Sequence, residues 1–355
     1  MHHHGPVNLI PPDIGSPWAR PLVGRVDLHA VHSPALRGNP LGDPHVRPLA
    51  VYVPPGAGDA GPLPVIYVIQ GFTGQLDMWS NRAPLRPTHL ERVDELFADP
   101  SVPRALVVHV DAWTSLGGSQ FLDSPGTGRY ATYLCEDVVS FVDAHYATRA
   151  DRDHRGLAGK SSGGYGAMVN AMLRPDVFGA LATHAGDAGF ELCYLHDEAK
   201  AVRTLRDAYG GSWEAFLDDL RSRPAMSNTD AGTILNAYAM AACYSADPDG
   251  TVRHPIDPAT GVLDGDVWAR WQAWDPVRMA PRHAEALRSM RAIWIDAGTR
   301  DEWFLDLGAQ AFRAGCEEAG ATVTHFELFD AGHGGIEYRY PLALRHLAER
   351  LTAPG

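Results

Sequence analysis

Gly159-Lys160-Ser161-Ser162-Gly163 is the stretch on which the fold of this chain turns. Arg155-Gly156-Leu157-Ala158 leads into it as a short strand, and small residues continue behind it as a helix to about Leu173, stopped before Pro175. A serine at such a tight strand-to-helix turn takes a strained backbone that lifts its Oγ clear of the sheet edge. The residues two positions to either side must then be small, so that strand and helix can approach. Ser161 has glycine at both positions. Ser162 is flanked by Lys160 and Gly164 and fails the same test. Gly159-Lys160-Ser161 also looks like the end of a phosphate-binding loop. That motif needs a glycine where this chain has His154, so a nucleotide site is excluded.

Outward from this turn, two periodicities alternate. Gly24 to Val31 is strand-like, and Leu49-Ala50-Val51-Tyr52-Val53 reads as a strand closed by Pro54-Pro55-Gly56. Val65 to Ile69 and Ala105 to Val110 are short continuous apolar runs, as expected of strands buried on both faces. Helices are predicted near Thr88–Phe97 and from Tyr133 to His145, where Leu134, Val138, Phe141 and Val142 share a face. Later strands are predicted over Phe178–Thr183, Ala292–Ile295 and Val323–Leu328, with a helix over Trp303–Ala319. Regular alternation of strand and helix means a mostly parallel sheet with helices on both faces. With a G-x-S-x-G turn, that is the α/β-hydrolase pattern. The rhythm fails between about Asp187 and Ala273, where helices are predicted over His196–Tyr209, Ser212–Arg223 and Ala231–Tyr244. The expected organisation is an N-terminal extension with a first strand (1–47), a catalytic core (48–186 and 274–355) and an inserted cap (187–273). A peripheral decoration is the alternative for the insertion.

A serine nucleophile needs a base within reach and a group to orient the base. Phe329-Asp330-Ala331-Gly332-His333-Gly334-Gly335 puts His333 in a glycine-rich turn after the last strand, where this fold places the base. His325 falls inside that strand and His346 on the terminal helix, both read as structural, while His184 could line the pocket. The acid belongs in the loop after the preceding strand, where Asp296, Asp301 and Glu302 are available. Asp296 is still leaving the strand. Asp301, beyond the Gly298 turn, is the better candidate and Glu302 the next; a carboxylate there could instead offset the dipole of the following helix. Two backbone N–H groups are needed to hold an oxyanion. One belongs to Ser162 and the other to the turn Gln70-Gly71-Phe72-Thr73-Gly74, with Phe72 preferred and Thr73 second. Thr73, Trp113, Gln120 and Trp303 are the candidate pocket residues.

The 355 residues carry a formal net charge of -13, which argues against a nucleic-acid partner. No apolar run approaches the ~18 residues of a membrane span. Cys135, Cys193, Cys243 and Cys316 lack metal-ligand spacing and read as small buried hydrophobes, with disulfide pairing the alternative. The histidines after Met1 are followed by no apolar stretch, so no secretory signal is read there. A cytoplasmic location is expected, a leader already removed being the alternative.

Several stretches together resemble the putative-esterase family of α/β-hydrolases, which includes esterase D/S-formylglutathione hydrolases, enterochelin-type, feruloyl and acetylxylan esterases, and mycolyltransferases. They are Gly117 to Pro125, Tyr133 to Val139, Gly159 to Ala167, Ile295-Asp296-Ala297-Gly298 with Asp301, and Gly332-His333. The resemblance implies a triad of Ser161, Asp301 and His333, the residues the chemistry selects. Gln70 stands where many relatives carry histidine; a backbone donor should survive that change. The stretch between Ser161 and Asp301 is much longer than in compact esterase D-like members. That counts against a formylglutathione substrate, since an inserted cap reshapes the pocket. The expected activity is hydrolysis of a small-molecule carboxylic ester, with no metal or organic cofactor. An acyltransferase on the same triad is the nearest alternative and a non-catalytic binding protein the more distant one.

Overall fold

The computed structural model describes residues 19–222 and 229–353. Eight strands form one sheet: β1 (Arg25–His32), β2 (Val46–Val53), β3 (Val65–Ile69), β4 (Leu106–Val110), β5 (Arg155–Lys160), β6 (Ala180–His184), β7 (Ala292–Gly298) and β8 (His325–Phe329). Their order is β1-β2-β4-β3-β5-β6-β7-β8. The β1–β2 and β2–β4 pairs are antiparallel and all the others parallel. Structure and sequence agree on an α/β-hydrolase architecture. β2 begins earlier than its sequence suggests and runs straight through Pro48. The proline is tolerated because β4 pairs only with Leu49 to Tyr52, leaving Pro48 beside β1 alone.

The central strands are apolar throughout because both faces are covered. Every residue of β3, β4 and β7 is buried. Along β3, Val65, Tyr67 and Ile69 enter one core while Ile66 and Val68 enter the other, the period of two that strands impose. One face carries α1 (His89–Ala98) and the terminal α9 (Tyr340–Thr352). The other carries α2 (Val139–His145), α3 (Ser162–Leu173) and α8 (Leu305–Glu318). α1 starts where the sequence allows a capping box: Thr88 Oγ1 accepts the Glu91 N–H (3.2 Å) and Glu91 Oε2 accepts the Thr88 N–H (2.7 Å). The helix expected over Tyr133–His145 divides into a π-helical segment, Tyr133–Val138, followed by α2.

Between β6 and β7 lie α4 (Leu195–Tyr209), α5 (Trp213–Ser222), α6 (Thr229–Tyr244) and α7 (Gly265–Ala273). Arg223, the expected end of α5, lies outside the described residues. These helices bring Leu205, Phe216, Ile234, Met240 and Trp271 into the same apolar cluster as Met168 of α3 and Ile293 and Ile295 of β7. The four cysteines are buried and free. Among the described residues no helix is long and apolar enough to cross a membrane, and no group of three or more His, Cys, Asp or Glu could hold a metal ion.

Candidate active site

Ser161 stands between β5 and α3 with φ 58° and ψ −129°, a strained conformation for a residue with a side chain. Its N–H is held by the carbonyls of His184 (3.0 Å) and Ala185 (3.1 Å) at the end of β6. The flanking glycines are required by contact. A Cβ on Gly159 would lie 2.3 Å from the Gly163 carbonyl, and one on Gly163 would lie 2.4 Å from Ile69 O. The loop after β3 lies directly on this turn: a Cβ on Gly71 would be 3.4 Å from Ser161 Cβ.

The two loops beyond β7 and β8 are joined through their backbones. Thr299 N–H donates to Phe329 O (2.8 Å) and Arg300 N–H to Ala331 O (2.9 Å), while a Cβ on Gly298 would be 2.4 Å from Ala331 O. This contact brings Asp301 Oδ2 within 2.7 Å of His333 Nδ1. Asp301 Oδ1 accepts the Trp303 N–H at 2.9 Å, so both carboxylate oxygens are engaged and the side chain is wholly buried. Glu302 does something else. Its Oε2 accepts the His333 backbone N–H at 2.8 Å, and that hydrogen bond holds its carboxyl below the usual range.

Asp296 remains inside β7. Its oxygens meet His184 Nδ1 (2.6 Å), Trp294 Nε1 (2.9 Å) and Arg339 Nε (3.0 Å). Burial pushes this carboxyl up. The facing His184, its hydrogen bond and that of Trp294, with Arg339 nearby, outweigh burial and hold it below its ordinary value. His184 is thus a buried partner of Asp296 and lines no pocket beside Ser161, contrary to the expectation for it. His325 stacks on Trp294 at 3.5 Å, and His346 Nε2 meets Thr324 Oγ1 at 2.8 Å.

Ser161 and His333 open onto one cavity of about 270 Å³, whose walls include Phe72, Thr73, Ser162 and Trp303. Thr73, at φ 62°, donates its N–H to Gly117 O (2.8 Å) and has none left for a substrate. The Phe72 N–H has no acceptor among the described residues. The Ser162 N–H, first in α3, lacks a partner within the helix.

A family model described as putative esterase matches residues 44–340.

The chain belongs to the putative-esterase family.

It is a carboxylic ester hydrolase by class. A mouse (Mus musculus) S-formylglutathione hydrolase is 25% identical over 217 residues, 55% of this chain and 75% of the relative. A solved ferulic acid esterase superimposes with a TM-score of 0.57 at 18% identity, covering 93% of this chain and 100% of its own. An S-formylglutathione hydrolase from Agrobacterium tumefaciens gives 0.55 at 19%, covering 94% and 98%. At these identities the structural matches speak for the fold.

In this esterase the segment between β6 and β7 supplies Asp187, Cys193, Tyr194 and Asn236 to the cavity wall. The sequence contains one usable signal for Asp187: it follows the carboxyl end of a parallel strand, where α/β folds place ligands. Burial raises the Cys193 thiol well above its ordinary pKa, so it is an apolar wall and no rival nucleophile. Two expected pocket residues are placed elsewhere. Trp113 lies off the cavity, its carbonyl accepting from buried Arg47. Gln70, with its amide oriented to donate to Val110 O, accepts the N–H groups of Ala112 (2.7 Å) and Trp113 (3.0 Å), tying the loop after β3 to the end of β4. Gln120, at φ 51°, sits one layer behind the wall and donates toward Asp187, Tyr194 and Tyr244. Trp303 is on the wall, its indole edge-on to His333 with centroids 4.9 Å apart, and its Nε1 donates to Asp197 of α4 at 2.8 Å.

Proposed function

We propose that the protein is a serine esterase that hydrolyses a small carboxylic ester through an acyl-enzyme on Ser161. The observation that carries this reading is the 2.7 Å bond between Asp301 and His333, made beside the cavity onto which Ser161 also opens. Asp301 keeps His333 Nδ1 protonated and its ring oriented, leaving Nε2 to take the Ser161 proton. The Oγ then attacks the ester carbonyl carbon, and the resulting oxyanion is received by the Phe72 and Ser162 N–H groups. Collapse expels the alcohol with the proton from His333. A water molecule, deprotonated by the same imidazole, attacks the acyl group and returns Ser161 with its proton. The chemistry needs neither metal nor organic cofactor. The insertion acts as a cap, because residues from it complete the cavity wall and Asp197 holds Trp303 beside the base.

A fluorophosphonate probe should label the wild type at Ser161 and fail to label Ser161→Ala, which should also lose p-nitrophenyl acetate hydrolysis. Labelling that persists in folded Ser161→Ala, or a folded wild type that takes no label, overturns the assignment.

A further inference from the structure

Asp187 is held through one oxygen and open at the other. It follows β6 by three residues and is 6% exposed. Its Oδ2 receives Tyr194 OH at 2.8 Å, Gln120 Nε2 at 3.2 Å and Ser162 Oγ at 3.2 Å. Oδ1 has no hydrogen-bond partner among the described residues, yet it is not shut away from solvent. Since Asp187 is part of the cavity wall, that free oxygen opens onto the cavity. A carboxylate buried for packing alone would have both oxygens satisfied by protein.

The scaffold that aims Asp187 is itself strained. Gln120 (φ 51°), Phe121 (φ 54°) and Ala185 (φ 44°) all occupy the left-handed region without being glycine. Gln120 also donates to Tyr244 OH at 2.8 Å, and the Tyr194 and Tyr244 hydroxyls are 3.2 Å apart. This network fixes the Asp187 carboxyl plane. Among the described residues no Lys or Arg side chain contributes to the wall, and His333 is the basic group there. Burial raises its pKa, while Tyr194, Gln120, His333 and Ser162 each pull it back. Phe72, Trp303, Leu305 and Cys193 make the apolar part of the wall, and Asn236 is a further polar side chain on it.

We propose that Asp187 Oδ1 is a specificity-determining acceptor for a hydrogen-bond donor, a hydroxyl or an ammonium, on the part of the ester that fills this cavity. The substrate class is then a short ester with an apolar body and a donor-bearing tip, matched to a cavity of about 270 Å³. A matching donor stabilises the bound ester, whereas a plain alkyl tip leaves the buried oxygen unpaired. This inference rests on Ser161 being the nucleophile.

The test compares kcat/KM for p-nitrophenyl butanoate, 3-hydroxybutanoate and 3-aminobutanoate. Propyl acetate and 2-hydroxyethyl acetate probe the alcohol side. The wild type should favour a donor-bearing ester over its plain counterpart by roughly tenfold or more, the scale of one hydrogen bond to a charged group. The amino and hydroxy esters report which donor is taken. Asp187→Asn and Asp187→Ala should each shrink that ratio toward one. Asn keeps the side-chain shape, so at least one variant should remain folded; a ratio unchanged in either folded variant overturns the proposal. Wild-type turnover of all the esters without discrimination brings down the subsite alone. No turnover of any ester brings down the Ser161 assignment and the subsite with it.

Discussion

Asp301 and His333 are joined at 2.7 Å, while Asp296, five residues earlier, is directed at a different histidine, His184, at 2.6 Å. Two carboxylates of one strand and its loop therefore serve separate ends, and substitution should separate them. Asp301→Asn should lower kcat by about 10³- to 10⁴-fold with little change in melting temperature. Asp296→Asn should reduce stability by roughly 3 kcal/mol, because it disturbs a buried ionic network with Arg339, and leave the folded fraction active. Glu302→Gln keeps an acceptor for the His333 N–H and should cost less than about tenfold in kcat. Ester kinetics and thermal melts on the three variants check the assignment.

The glycines of the elbow are set by contact with backbone, so a single methyl should be disruptive. Gly163→Ala would place its Cβ 2.4 Å from Ile69 O and should destabilise the fold by about 3 kcal/mol or leave the chain insoluble. Gly334→Ala, whose Cβ meets nothing within 4 Å, should stay within about 0.5 kcal/mol of the wild type. Denaturant midpoints for the pair give the comparison.

A buried histidine pair makes stability depend on pH. His89 and His109 touch through their Nε2 atoms at 3.1 Å. Burial pushes the pKa of His109 down to about 3, and burial together with His109 pushes His89 well below its ordinary value. Between about pH 6.5, where unfolded histidine titrates, and these folded values, the unfolded chain binds protons that the native state refuses. Stability is therefore present above about 6.5 and falls as pH drops through that window, each histidine adding a slope of up to about 1.4 kcal/mol per pH unit. Asp296 adds a loss of the same sign at lower pH, below about 3.9, since its folded pKa is depressed. Urea midpoints from about pH 7 to about 4.5 should show the decline, and His109→Leu should make it shallower, the remainder coming from His89 and from His254 and His346, which burial holds down to about 3 and about 4.

Trp303 links the loop after β7 to α4 through Asp197 while its ring borders His333. Trp303→Phe keeps a ring there and loses the hydrogen bond, so KM should rise a few-fold with kcat nearly unchanged. Trp303→Ala removes the wall as well and should raise KM by about tenfold. Steady-state kinetics on one ester would register either change.

Ser161, His333 and Asp301 could be found in the sequence because each occupies a position that chain order and turn chemistry define. The buried strands were equally visible, as unbroken apolar runs. What escaped depended on loop geometry. Nothing in Gly117 to Leu122 says that Gln120 and Phe121 adopt positive φ, which turns Gln120 behind the wall. Trp113 looked like a pocket aromatic, but the end of β4 is pinned by Gln70 and Arg47, and that keeps it away from the cavity. Asp187 is marked in the sequence only by its place after a strand, because the contacts that hold it need Tyr194, Tyr244 and Gln120 to converge from distant segments. β2 extended through Pro48 because β4 stops short there, a matter of pairing that one strand's sequence does not contain.

The wall formed by Asp187, Cys193, Tyr194 and Asn236 comes from one continuous stretch of chain, whereas Ser161, Asp301 and His333 come from turns outside it. Selection can therefore act on the two halves separately. Mutations accumulating between β6 and β7 can reshape that wall while Ser161, Asp301 and His333 are inherited intact. Exchanging that stretch between relatives is correspondingly a way to change the cavity without touching those three residues.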